Sequence, residues 1–478
     1  MKNEIEADLC VIGAGAAGLS IAAGGQQMGA KVVLIEQGLM GGDCLNFGCV
    51  PSKALLASAE AAAAVNGAVR FGVTAGPARI DPAGVHRHVE SAIRAIAPND
   101  SVARFEGMGV RVLKAKACFT GPAEVMADDT RVRARRFVLA TGSRPMVPPI
   151  EGLDQVDYLT NETVFARPLA PDHLIVVGGG PIGIELAFAF RLLGARVTVI
   201  EAGRILANDD PELVDLLRQR LIAAGIDIRE GSAVRLVEPA QTGVQVRING
   251  TDGPSERGQI IAGSHLLIAT GRRPTLDGLG LDRAGIQVDN GRLVLDSRLR
   301  TTNRKVFAAG DAAGGPQFTH VAAYHAGIVL QNALFRWPAK VDLGALPWVT
   351  YTDPELAHVG LSEHDARRRG LDFRVLRWPL AENDRARTQG SIHGLVKAVV
   401  AANGRVLGAD ILGPSAGELI QVWTLAVQHK LNIKALATAI APYPTLGEAS
   451  KRAASSYFQP MLFGERTRAL VRFLARFG

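Results

Sequence analysis

One glycine pattern occurs twice in this chain, and it constrains the fold more tightly than any other feature. Gly13, Gly15, Gly18, Gly29 and Glu36 recur as Gly178, Gly180, Gly183, Gly194 and Glu201, all at one offset of 165 residues. Each set follows a short apolar run, residues 8–12 in the first case and 174–177 in the second. Each is followed by a helix-forming stretch and a second apolar run, 31–35 or 196–200, that ends on the acid. Strand, glycine turn, helix, strand and acid is the order a dinucleotide-binding βαβ unit requires. Glycines let backbone N–H groups approach a pyrophosphate at the helix N-terminus. The acid takes a ribose hydroxyl pair. Five matched positions at a constant offset predict two such units, hence two doubly wound α/β domains.

Between them lies Gly41-Gly42-Asp43-Cys44-Leu45-Asn46-Phe47-Gly48-Cys49-Val50-Pro51-Ser52-Lys53, which holds two of the four cysteines. An alanine-rich apolar stretch follows, and Pro51 fits the first turn of a helix. If both cysteines lay on one regular helix, their Cα atoms would be about 8–9 Å apart. A disulfide tolerates about 7 Å. A bond between them requires Cys44 on a turn outside the helix, with Asn46 and Gly48 supplying positive φ. Cys49 then opens the helix, where the dipole favours its thiolate. The spacing predicts a reversible dithiol with one activated sulfur. Two nucleotide sites and a dithiol imply electron transfer between two redox cofactors and sulfur.

The 478 residues suit about three domains. An apolar content of 47% with 53 glycines fits packed α/β structure. Four cysteines do not make a disulfide scaffold, and one redox pair fits a reducing, cytoplasmic compartment. Cys10 and Cys118 lie in apolar surroundings and read as packing thiols. The net charge of +7 is spread along the chain and aromatic content is 5%, so no nucleic-acid surface is read. No stretch reads as membrane-spanning. Residues 137–145 and 267–274 resemble each other, each an apolar strand running into Ala-Thr-Gly, and they mark where the chain crosses between domains. Residues 305–310 read as a strand that delivers Asp311. From about 345 the pattern changes. Residues 348–352, 373–377, 394–400 and 405–411 predict an antiparallel sheet, with helices near 416–429 and 433–440.

Together these residues resemble the flavin-dependent pyridine nucleotide–disulfide oxidoreductases, which include dihydrolipoamide dehydrogenase, glutathione reductase and mercuric reductase. The resemblance also covers Asp353-Pro354-Glu355 and Val359-Gly360-Leu361-Ser362-Glu363. It implies an FAD-binding domain over 1–149 with a return segment at 273–344, an NAD(P)-binding domain over 150–272, and a C-terminal α+β dimerisation domain over 345–478 in a homodimer. FAD is expected on the first fingerprint and NAD(H) or NADP(H) on the second. Glu201 would repel a 2′-phosphate, so NADH is favoured, with Arg204 nearby as the counterweight. The cofactor-binding residues implied are Gly13, Gly15, Gly18, Glu36, Gly42, Lys53, Thr141, Gly142, Gly178, Gly180, Gly183, Glu201, Gly271, Gly310 and Asp311. By similarity Glu36 meets the adenosine ribose, Asp311 the ribityl chain and Lys53 the flavin N5, with Glu185 paired to Lys53. Cys49 faces the flavin and Cys44 the substrate. Hydride would pass from nicotinamide to flavin, and an electron pair from there to the disulfide. No resident metal site is implied.

One departure stands out. Disulfide reductases of this family usually carry His-Pro-Thr-x-x-Glu, the His coming from the partner subunit as proton shuttle. Here the stretch is Tyr443-Pro444-Thr445-Leu446-Gly447-Glu448. An unperturbed Tyr titrates near pH 10 and is a poor base at pH 7. Mercuric reductases carry Tyr at this position, and a thiolate pair suits a soft cation, although no cysteine follows Cys118. The expectation is an enzyme that passes electrons to a disulfide, small or on a protein, or to a soft metal ion. The alternatives are a dihydrolipoyl dehydrogenase and a low-turnover redox-sensing or membrane-associated flavoprotein. In the tail, Leu470, Phe473, Leu474 and Phe477 share a helical face, and Arg468, Arg472 and Arg476 share another. That helix is expected to dock on its own dimer, with weak membrane-surface contact as the alternative.

Overall fold

The computed structural model describes residues 4–249 and 258–477, which divide into two compact units. Residues up to 202 together with 228–341 form the first. Its larger sheet is built on Glu4–Ile12, whose inner residues Leu9–Ile12 are almost wholly buried. Val32–Ile35 pairs with it in parallel on one side and Thr130–Leu139 on the other. Val306–Ala308 joins the same sheet in parallel beside Phe137–Leu139, although the two strands are far apart in sequence. A continuous Val/Leu/Ile run is what a parallel strand covered on both faces needs. The helices Ala16–Gln27 and Thr319–Ala333 cover one face, and Phe119 and Val125 with Leu279 and Ile286 cover the other.

The second parallel sheet repeats this plan. His173–Val177 lies between Arg196–Ile200 and His265–Ile268. An antiparallel layer, Val234–Ala240, Gly243–Ile248 and Gln259–Gly263, packs beneath it. The two look-alike crossovers meet each other: Ser143–Pro145 and Arg272–Pro274 form an antiparallel ladder.

The other unit comprises 203–227 and 342–478. Its sheet has five strands, in the order Pro347–Thr350, Glu355–Gly360, Val406–Gly413, Leu395–Ala401 and Phe373–Pro379. The sequence pattern predicts four. It misses Glu355–Gly360, a strand with neighbours on both sides, because its buried members Leu356–Val359 include His358 and so break the apolar run. His358 is 2% exposed, and its Nδ1 lies 2.6 Å from Asp410 Oδ1. The helix Ala416–Gln428 lays the buried Trp423 on this sheet, and Trp423 Nε1 donates to Ser450 Oγ at 3.0 Å. Lys397 is 3% exposed, and its Nζ lies 2.7 Å from Asp210, 2.9 Å from Glu212 and 2.9 Å from Glu363. A buried cation is tolerated because these carboxylates replace its hydration. The network fastens the helix Pro211–Ala223 to the sheet. The tail helix runs Glu465–Leu474 with no buried residue, so Arg476 and Phe477 fall beyond its end. No helix among the described residues is long and apolar enough to cross a membrane.

Candidate active site

Both fingerprints fold as strand, glycine turn, helix and strand, with their glycines at corresponding positions. Gly13 and Gly178 take φ of +105° and +114°, where a side chain is strained. A Cβ at either would also collide with the carbonyl of Ala140 or of its repeat, Ala269. Gly18 and Gly183 abut the Gly13 and Gly178 carbonyls, leaving no room for a Cβ. Gly15 and Gly180 cap the helices Ala16–Gln27 and Pro181–Leu192. A Cβ on Gly180 would meet nothing within 4 Å, and one on Gly15 only Gly42 Cα at 3.8 Å. These open faces at helix N-termini fit the diphosphates of two dinucleotides. The two acids hold identical posts: Glu36 accepts from the Ala14 N–H at 2.6 Å, and Glu201 from the Gly179 N–H at 2.7 Å. Each thus shapes its own glycine turn. At the crossovers, Gly142 and Gly271 adopt positive φ, and Thr141 Oγ1 donates to Thr275 O at 2.6 Å.

The cysteine loop differs from expectation in its turn. Cys44 lies outside the long helix, as required, but within a separate helical turn, Gly42–Asn46. Neither Asn46 nor Gly48 takes positive φ; Gly41 (+86°) and Gly42 (+59°) do. The cause is packing. Gly42 presses on the first fingerprint, and a Cβ there would fall 2.6 Å from Gly15 Cα. Asn46 stays helical and uses its amide as a staple, donating to Met40 O at 3.0 Å and Gly42 O at 2.7 Å. The long helix begins at Cys49 and runs to Gly67.

Both sulfurs are free, Cys44 half-buried and Cys49 exposed. A hydrogen bond from Cys44 holds the Cys49 thiol down at about 6, and Thr319 and the Lys53 charge add to this. The same bond, with burial, pushes Cys44 well up. These opposite directions favour the thiolate at Cys49 and the thiol at Cys44. Thr319 is a residue that sequence reasoning missed. Its hydroxyl lies 3.4 Å from Cys49 Sγ, and it arrives on the first turn of Thr319–Ala333, 270 residues away. Nothing local to either residue signals that meeting.

Lys53 and Glu185 pair as implied, Nζ to Oε2 at 2.7 Å, with the Glu185 side chain 8% exposed. Lys53 sits one helical turn past Cys49 on the same helix. Asp311 follows Val306–Ala308 in the turn Gly310–Ala313. It accepts from Ser143 Oγ at 2.5 Å, and burial raises its carboxyl. The positive φ of Gly310 brings the chain close to Ala17 and Ala322. In the other unit, Tyr443 is 68% exposed and its hydroxyl donates to Asp384 Oδ2 at 2.9 Å. That carboxylate pushes the phenol up from its ordinary value. Glu448 is joined to Arg452 at 2.8 Å.

The chain matches the pyridine nucleotide-disulphide oxidoreductase family over residues 7–326 and that family's dimerisation domain over 346–454. It is 35% identical to a mercuric reductase of Lysinibacillus sphaericus over 95% of this chain and 83% of that one. It is 37% identical to a mercuric reductase of Streptomyces lividans, covering 94% and 96%. A dihydrolipoyl dehydrogenase of Thermus scotoductus is 36% identical over 94% and 97%. Among solved structures, the Cu(II) complex of the HOCl-induced flavoprotein disulfide reductase RclA from Escherichia coli superposes with a TM-score of 0.83 at 27% identity, covering 93% and 99%. LpdA from Mycobacterium tuberculosis does so at 0.84 and 29%, covering 94% and 99%. The chain therefore belongs to the pyridine nucleotide-disulphide oxidoreductases, FAD-dependent oxidoreductases that draw electrons from NAD(P)H.

Proposed function

We propose that this enzyme uses NADH to reduce a soft metal ion, in the manner of a mercuric reductase, through the Cys44–Cys49 couple. The observation that carries this reading is the Tyr443 hydroxyl donating to Asp384. Reduction of a disulfide substrate needs a proton delivered to the leaving thiolate at neutral pH. General acid–base help of that kind is worth about 10²–10⁴ in rate. A phenol already raised by a carboxylate is further from pH 7 than a free one. A metal ion reduced by two thiolates leaves them as a disulfide and needs no such proton.

Bound FAD supplies the two-electron step between nicotinamide and dithiol. The protein's own groups do the rest. Gly13, Gly15 and Gly18 open the first turn to its diphosphate, and Glu36, Gly42, Thr141, Gly142, Gly310 and Asp311 shape the surrounding cradle. Gly178, Gly180, Gly183, Glu201 and Gly271 do the same for the nicotinamide dinucleotide. Lys53, oriented by Glu185, keeps a positive charge on the Cys49 side of the loop. Accepting two electrons and one proton turns the disulfide into the Cys44 thiol and Cys49 thiolate. A soft ion displaces that proton, is gripped by both sulfurs and takes their electron pair, leaving as the neutral metal while the Cys44–Cys49 disulfide re-forms. In a homodimer, Tyr443 and Glu448 of one copy serve the Cys44 of the other.

NADH is favoured because Glu201 is a carboxylate facing the ribose edge and Arg204 is spent on Asp215 at 2.7 Å. The arginine-bearing helix Glu465–Leu474 is read as docking on a second copy. Equal liposome pelleting after deletion of residues 466–478 would remove the membrane alternative. Dihydrolipoyl dehydrogenase is the second reading, supported by the similarity to the Thermus enzyme. The test measures NADH and NADPH oxidation with mercuric ion in excess small thiol, with lipoamide and with glutathione disulfide. Mercury-dependent NADH oxidation that vanishes in Cys44→Ser is expected. Fast lipoamide turnover with no response to mercury would overturn the proposal.

A further inference from the structure

Arg272 opens the second crossover strand, and its side chain is 8% exposed. Its Nη2 lies 3.1 Å from Asp43 Oδ1. Its Nε donates to Ser143 Oγ at 2.8 Å, and its Nη2 to Ser143 O at 2.9 Å. Ser143 Oγ in turn donates to Asp311 Oδ2, which lies 4.0 Å from Arg272 Nε. Arg272 Nη1 is buried with no hydrogen-bond partner. One guanidinium thus links the redox loop, through Asp43, to the acid expected at the ribityl chain.

Asp43 follows Gly42, which packs on Gly15, and the Gly41 N–H donates to Ala14 O at 2.9 Å. A carboxylate therefore follows directly on the residue that packs against the first fingerprint. Asn161 Nδ2 also donates to Asp43 Oδ1, at 3.1 Å. The charged groups around this point are Asp43, Asp311, Glu162, Arg144 and Arg272. Arg144 is itself paired with Asp277. With Asp43 at 3.1 Å and Asp311 at 4.0 Å, loss of Arg272 would leave these carboxylates without their close cation as an anionic ligand arrives.

We propose that Arg272 is the charge-balancing residue of the flavin cradle: paired with Asp43 and linked through Ser143 to Asp311, it offsets carboxylates that would otherwise repel the FAD diphosphate. The proposal needs FAD alone, so it stands whichever acceptor the enzyme reduces.

The test uses Arg272→Gln, Asp43→Asn and the double variant. FAD affinity is read by flavin fluorescence quenching after controlled flavin removal, and flavin retention by thermal release from the holoenzyme. Arg272→Gln should weaken FAD binding about 10–100-fold, the range of one or two charge-assisted contacts. Asp43→Asn should bind FAD at least as well as the parent. The double variant should recover about tenfold of the loss. Affinity of Arg272→Gln should also rise with added salt, because salt screens a repulsion. A double variant as weak as Arg272→Gln, with a loss that salt leaves unchanged, would reduce Arg272 to a packing residue and overturn the proposal. Should Arg272→Gln fail to fold, Arg272→Lys decides instead. It keeps the charge without the fork and should hold FAD within about tenfold of the parent; release of flavin on purification would contradict the account.

Discussion

Removing the Thr319 hydroxyl should move the titration of the reactive sulfur. In Thr319→Val the shape is nearly kept, but the group 3.4 Å from Cys49 Sγ can no longer donate. A hydrogen bond to a charged acceptor is worth about 1.5–3 kcal/mol, and one pKa unit corresponds to about 1.4 kcal/mol. Cys49 is exposed, and solvent takes over part of the lost bond. The lower end of the range applies, and a rise of about one unit from about 6 is expected. The sign follows from which form the bond stabilises: the thiolate exists above the folded-state value and is lost as pH falls through it, so Thr319→Val moves that loss to higher pH. The assay is the rate of iodoacetamide alkylation against pH in a Cys44→Ser background, with the adduct located at Cys49 by mass spectrometry. The midpoint should lie about one unit higher with Thr319→Val than without it. Coincident profiles would refute the assigned role of Thr319.

Lys397→Met should lower stability by about 3–5 kcal/mol, because Asp210, Glu212 and Glu363 are left around an apolar side chain; equilibrium urea unfolding measures it. Gly42→Ala should release flavin, since its Cβ would fall 2.6 Å from Gly15 Cα at a φ of +59°; absorbance of the purified protein reads the loss. Tyr443→His should raise lipoamide or glutathione disulfide turnover by about 10²-fold if the phenol is what limits protonation, and an unchanged rate would point to substrate binding instead. In Tyr443→Phe the mercury-dependent rate should change by less than about tenfold, as expected of a group that supplies a hydrogen bond and no proton.

The duplicated glycines carried the parallel sheets into view because their need is local. Positive φ at Gly13 and Gly178, and the close approach behind each, leave few other residues possible. The Lys53–Glu185 pair was legible through resemblance, and its 2.7 Å geometry follows from two helices that each begin at a readable signal. What stayed hidden depends on distant segments. Thr319 meets Cys49, and Arg272 meets Asp43, across segments far apart in the sequence. The left-handed residues of the loop were misassigned because Gly42 answers to Gly15, not to its neighbours. His358 concealed a central strand because a buried His–Asp pair mimics a break in an apolar run.

The central claim is that Cys44 and Cys49 form one redox couple in series with the flavin. Anaerobic titration of the oxidised enzyme with NADH tests it most directly, followed by flavin absorbance and by counting free thiols. The account predicts that two electrons per subunit appear first as a thiol pair, before the flavin bleaches, and that Cys44→Ser bleaches from the first addition. Identical titrations for the two proteins would contradict it.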